Sequence, residues 1–200
     1  MRLDLRLIAE MVTPGARVLD IGCGDGALLE HLTREKNADA RGIEIDMAQA
    51  TAAVAQGLAV IHGDADNDLA FYPDGAFDFV VLSRTIHAVE KPREVLRQML
   101  RIGRHAIVSF PNFGHWEVRM KLLLTGRMPM TETWGRPWYE TPNIHPCTIL
   151  DFLDLCEQDG YAVKRWLAVD EHGARAPWER WARLANLFGE QALFLLSRKA

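Results

Sequence analysis

The residues best placed to do chemistry lie in Val18-Leu19-Asp20-Ile21-Gly22-Cys23-Gly24-Asp25-Gly26, where three glycines alternate behind a carboxylate. Glycine at such positions lets the chain turn sharply and lets a ligand approach the backbone, because a Cβ there would collide or force a strained φ. A dinucleotide fingerprint spaces its glycines G-x-G-x-x-G and rests a pyrophosphate on the helix that follows. The spacing here is G-x-G-x-G, and the plain alternative is a tight strand-to-helix turn that binds nothing. Two more carboxylates follow in order, Glu44 in GIEID and Asp64 in HGDAD, each expected just past a strand. Ser83 closes a fourth apolar run, Arg84 and His87 come after it, and Asn112 and His115 come after a fifth. Tyr139 and His145 follow in a proline-punctuated stretch. Ligands of open α/β sheets gather beyond the carboxyl ends of the strands, which makes these the candidate binding and catalytic groups.

Each candidate also has a structural reading. His87 is a general base or a cap for the next helix. Asn112 and His115 line a pocket or belong to a turn held by an Asn side chain. Trp134, Trp138 and Tyr139 form an aromatic cage or pack over the sheet. Cys23 is a small residue in limited space or a reactive thiol. His145 and Cys147 stand close together but lack companions at ligand spacing, so no metal site is expected.

The elements that must position these groups can be read from periodicity. Leu3, Leu7, Ile8, Met11 and Val12 recur at helical intervals across 3–12, ahead of a Pro14-Gly15 turn. Short apolar strands are expected at 17–21, 41–46, 58–62, 77–83 and 105–110, alternating with helices at 27–36, 47–56 and from Pro92 onward. Such alternation argues for right-handed βαβ units and a parallel sheet of the doubly wound kind. Residues 111–146 break the pattern with Pro, Trp, Tyr and Gly and one helical stretch near 116–124, as a lid would. A helix at 148–158, a strand at 161–169, a helix around 178–188 and a strand at 192–197 then complete a seven-stranded α/β sheet. The DADND run after the third strand reads as an acidic turn.

At 200 residues the chain fits one domain with one core. Hydrophobic residues at 48% and charged residues at 25% are an ordinary globular balance. A formal net charge of −4, with no basic run interleaved with aromatics, argues against nucleic acid as partner. Asp4, Arg6 and Glu10 interrupt the apolar start, so no signal peptide is expected, and no apolar run reaches spanning length. Three cysteines, Cys23, Cys147 and Cys156, form neither a disulfide framework nor a zinc pattern, which points to a reducing, cytoplasmic compartment.

The loop VLDIGCGDG resembles motif I of class I S-adenosylmethionine-dependent methyltransferases. That resemblance implies S-adenosylmethionine or S-adenosylhomocysteine as cofactor, with Asp20, Gly22, Cys23, Gly24, Gly26 and Ser83 around its amino-acid moiety. It also implies Glu44 on the ribose hydroxyls, Asp64 near the adenine amino group, and Ile45 and Ala65 flanking the adenine. Over nearly the whole chain, and above all in SFPNFGHW and TPNIH, the sequence is similar to the MetW family. Membership would imply a role in methionine biosynthesis beside the homoserine O-acyltransferase MetX, either as its regulatory partner or as a methyltransferase acting on a small acceptor. Where the family pattern reads LSQTLQA this chain reads LSRTIHA, which puts Arg84 and His87 near the cofactor's methionine end. Methyl transfer asks for an aligned nucleophile, exclusion of water and at times a base, and His87, Asn112 and His115 are the candidates for catalysis.

Overall fold

In the computed structural model the described residues are 1–131, 135, 137, 139–141, 144–170 and 181–199. The chain runs α1 (Leu3–Met11), β1 (Arg17–Ile21), α2 (Ala27–Lys36), β2 (Asp39–Glu44), α3 (Met47–Ala55) and β3 (Ala59–His62). It continues with α4 (Ala65–Asp68), a 3-10 turn at Leu69–Phe71, β4 (Phe77–Ser83), α5 (Pro92–Ile102) and β5 (Gly103–Pro111). After α6 (Trp116–Thr125) come α7 (Ile149–Gln158), β6 (Tyr161–Val169), α8 (Ala182–Phe188) and β7 (Gln191–Arg198). All seven strands form one sheet in the order β3-β2-β1-β4-β5-β7-β6. The strands from β3 to β5 pair in parallel, and β7 runs antiparallel between β5 and β6. The expected doubly wound, mostly parallel seven-stranded sheet is therefore the fold.

Alternation along the strands explains the two layers of core. Leu19 and Ile21 of β1, Val80 and Leu82 of β4, and Val108 and Phe110 of β5 point to the side closed by α5 and α7. Val18, Phe79, Val81 and Ile107 point to the other side, against Leu7, Ile8 and Met11 of α1 and Leu28, Leu29 and Leu32 of α2. Both faces are apolar because both are covered, as a parallel sheet requires. On the α1 side the same alternation brings Asp20, Ser83 and Ser109 into line at the carboxyl ends of three adjacent strands, all buried.

Several boundaries differ from expectation. The second strand begins earlier and stops at Glu44, because Asp46 turns the chain by accepting the Ala48 and Gln49 N–H groups as the cap of α3. The acidic run after β3 is a helix, α4, capped by Asp64 through the Asp66 N–H. α5 passes into β5 at Gly103 with no loop between them. Trp134, Trp138 and residues 178–180 of the expected last helix lie outside the described residues.

Candidate functional site

The sheet order changes direction at β1, whose neighbours are β2 and β4, and such switch points open a crevice beyond the strand ends. The glycine loop fills this position. Gly22, Gly24 and Gly26 all have positive φ, at 69°, 58° and 84°. A Cβ on Gly22 would stand 2.8 Å from Thr85 Oγ1, one on Gly24 3.0 Å from Gln49 Oε1, and one on Gly26 would strike Leu58. The glycines are thus demanded by backbone sign and by neighbouring protein side chains, which together fold the loop tightly onto the strand ends. Cys23 points the other way. It packs where Gly42 lacks a side chain, and burial, with Asp20 and Glu44 adding, pushes its thiol up to about 12, so it carries no reactive thiolate.

Glu44 holds the loop from the β2 side. Its Oε2 accepts the Gly24 N–H at 2.7 Å and its Oε1 the Asp46 N–H at 2.9 Å. A carboxylate has about four acceptor positions, so two remain for hydroxyl donors. Beside it Ile45 is 65% exposed and Met47 is also exposed, an apolar shelf past the end of β2. Asp64 Oδ1 accepts the Asp66 N–H and Oδ2 the Asn67 amide, while half-buried Ala65 packs against the core. Asp66 in turn accepts the Glu90 and Lys91 N–H groups, tying α4 to the start of α5.

Asp20, at the centre, is 2% exposed, and its Oδ1 has no hydrogen-bond partner among the described residues. Burial pushes its carboxyl up to about 8, with Arg2 opposing and the charge of Glu44 adding. Of the polar line beside it, Ser83 was a candidate, but Arg2, Asp4 and Ser109 were not foreseen. Ser83 Oγ donates to Asp4 Oδ2, Ser109 Oγ lies 3.3 Å from Ser83 Oγ, and Arg2 binds both Asp4 and Ser83. Asp4, a charge inside an otherwise apolar helical stripe, was the one sequence signal for this. α1 therefore roofs the strand ends, and its first turn brings Arg2 and Asp4 to them.

The groups after β4 and β5 divide. His87 is buried, and burial followed by the charge of Arg84 pushes its imidazole down to about 4, which keeps it neutral near pH 7. Its carbonyl accepts the Ile144 and His145 N–H groups, and His145 Nε2 lies 3.2 Å from the Glu90 carbonyl. The helix that follows is capped at Lys91 without a side-chain bond, so His87 is not its cap. Asn112 is 1% exposed, and its amide donates to the carbonyls of Asn186 and Gly189 while its oxygen accepts the Gly114 and Ile149 N–H groups. Both amide hydrogens are engaged in joining the end of β5 to α8 and the α8–β7 turn, which leaves none for a ligand, while the oxygen reaches α7. His115 is buried beside Trp116 at the start of α6, its pKa lowered by burial with Glu117 opposing. Tyr139 is exposed. SFPNFGHW and the pair Ile144-His145 thus anchor the two ends of the segment between β5 and α7.

Among the described residues no cluster of His, Cys, Asp or Glu could hold a metal, and no helix is long and apolar enough to cross a membrane. The sheet order, with β7 antiparallel and the glycine loop at the switch point, is the fold of class I methyltransferases. A crystal structure of an S-adenosylmethionine-dependent methyltransferase from Archaeoglobus fulgidus superposes with a TM-score of 0.69 at 18% identity, over 98% of this chain and 91% of that one. The [4+2]-cyclase SpnF superposes at 0.68 and 18% identity, covering 98% and 80%. The family model described as methionine biosynthesis protein MetW matches residues 2–196, and the chain belongs to the MetW family. It is 35% identical over 167 residues to the bifunctional methionine biosynthesis protein MetXA/MetW of Rhodopirellula baltica, an alignment covering 79% of this chain and 27% of that protein's length.

Proposed function

We propose that this chain binds S-adenosylmethionine, or the demethylated S-adenosylhomocysteine, across the ends of β2, β1 and β4, and that it serves methionine biosynthesis as partner or regulator of a homoserine O-acyltransferase. The cofactor reading fits the groups present. Glu44 keeps acceptor positions for ribose hydroxyls beside the apolar shelf of Ile45, and buried Asp20 has an oxygen in want of a donor. Gly22, Cys23, Gly24 and Gly26 would shape the loop beneath the amino-acid moiety, with Ser83 holding the adjoining strand end and Asp64 and Ala65 at the adenine end. When bound, the nucleoside supplies an electrophilic sulfonium methyl group.

One observation carries the partner reading: the helix that should seal an acceptor pocket turns its apolar face outward. Trp116, Met120, Leu123 and Leu124 are all exposed, Leu123 at 77% and Leu124 at 74%. At 3.6 residues per turn they share an arc of about 100°, opposite the buried Val118. An exposed apolar patch of that kind marks a protein contact. The relative that joins MetXA and MetW in one chain supports the acyltransferase as the occupant.

Methyl transfer to a small acceptor is the second reading, and it draws on His87, buried at the end of β4. A conjugate acid near 4 makes that imidazole a weak base, and Asn112 is fully engaged elsewhere. The deciding experiment is co-purification with the acyltransferase with and without S-adenosylmethionine, followed by assays of acyl transfer and of methyl release. Complex formation with altered acyl transfer and no methylated product is expected. Methylated product without a complex would decide for the enzyme.

A further inference from the structure

Arg84 stands in a backbone conformation that long side chains avoid. Its φ is 55°, and the other non-glycine residue with positive φ among the described ones is Asn37, at the end of α2, where such a residue is common. The left-handed turn at Arg84 is imposed from the neighbouring strand, because its N–H is held by the Ser109 carbonyl at 2.8 Å and lies 3.2 Å from Ser109 Oγ. Strain kept in place in this way is characteristic of functional sites.

The side chain lacks what such a cation ordinarily has. Among the described residues the guanidinium makes no hydrogen bond and no ion pair, although the residue is half buried. Its charged and titratable neighbours are Arg2, Asp4 and His87, and the one carboxylate among these already binds Arg2 through both oxygens. Burial and the like charge of Arg2 lower its pKa, with Asp4 opposing. Five fixed N–H donors with a surplus of positive charge suit a planar anion.

The sheet order says which part of a ligand would meet it. β1 lies between β2, which ends in Glu44, and β4, which leads into Arg84, and Thr85 beside Arg84 abuts Gly22 of the loop. A nucleoside lying over the loop with its sugar at Glu44 presents its other end to Arg84. We infer that Arg84 is the receptor for the carboxylate at the amino-acid end of the bound nucleoside, and hence the residue by which this chain distinguishes it from forms lacking that group. The inference rests on the cofactor reading proposed above.

Calorimetry of the full chain with S-adenosylmethionine and with decarboxylated S-adenosylmethionine tests it, on wild type, Arg84→Gly and Arg84→Lys. Glycine removes the guanidinium and relieves the left-handed backbone, so Arg84→Gly keeps the fold, which circular dichroism checks. Wild type is expected to prefer the carboxylated nucleoside by about tenfold or more, as a charge-assisted pair would give. Arg84→Gly should bring the ratio near parity by weakening that nucleoside alone, and Arg84→Lys should retain part of it. A ratio unchanged in Arg84→Gly, or an equal loss for both nucleosides, would overturn the inference while leaving nucleoside binding in place. Uptake of neither nucleoside by wild type would remove the proposed function itself.

Discussion

Asp20 and His87 put two opposed pH dependences into one crevice. Asp20 ionises near 8 in the folded chain against about 4 for an exposed carboxyl, so between those values the folded state holds the extra proton and stability falls as pH rises. His87 is shifted from 6.5 to about 4, so over that range the unfolded state holds the extra proton and stability rises with pH. The two offset each other from pH 4 to 6.5, and above 6.5 only Asp20 acts. Ligand-free wild type should therefore lose up to about 2 kcal/mol between pH 6.5 and 8 relative to Asp20→Asn, read by chemical denaturation. Parallel curves for the two proteins would show that Asp20 is already ionised. A cationic ligand beside Asp20 favours its charged form, so nucleoside binding should release a proton, visible as a dependence of the binding enthalpy on buffer. Glu44→Gln keeps the shape of the carboxylate but weakens its bonds to Gly24, Asp46 and the sugar, with about a tenfold or larger loss of nucleoside affinity expected by calorimetry.

At the scale of elements, the glycine turn and the short apolar strands were legible because backbone sign and strand pattern are local, whereas Glu44 was singled out through the family resemblance and its bond to Gly24 spans 20 residues. Positive φ calls for glycine, a buried strand calls for a short β-branched run, and turns follow from Gly and Pro. Asn112 was legible as a special residue but not as to its role, since its partners Asn186, Gly189 and Ile149 come from elements that only the tertiary fold brings to β5. Arg2, Asp4 and Ser109 were missed for the same reason. The roof formed by α1 is a long-range contact, and in sequence Asp4 reads merely as an interruption of an apolar stripe. Asn112→Ala should expose this division between architecture and binding. It strands the Asn186 and Gly189 carbonyls and the Gly114 N–H in the interior, while the Ile149 N–H keeps its bond to Asn186 Oδ1, so a loss on the order of 2–4 kcal/mol of stability is expected, with little change in nucleoside affinity of the folded fraction. A normal melting temperature with abolished binding would return Asn112 to the site.

For the whole molecule, the outward face of α6 and the fused relative bear on the same question. A chain of this kind spans 27% of the bifunctional protein, where a tether would keep the two activities at high local concentration. Under the partnership proposed above, the apolar and exposed Leu123 and Leu124 would supply the contact itself. Leu123→Glu and Leu124→Glu together should weaken association with the acyltransferase by at least about tenfold, since a charge in a desolvated contact is costly. They should leave the melting-temperature rise produced by S-adenosylmethionine intact, because α6 has its own anchors at His115 and Asn112, away from Glu44 and the glycine loop. Association measured by analytical ultracentrifugation and the thermal shift measured on the same preparations separate the two surfaces. Undiminished association would place the contact elsewhere on the molecule, and simultaneous loss of both would mean that α6 acts through the crevice.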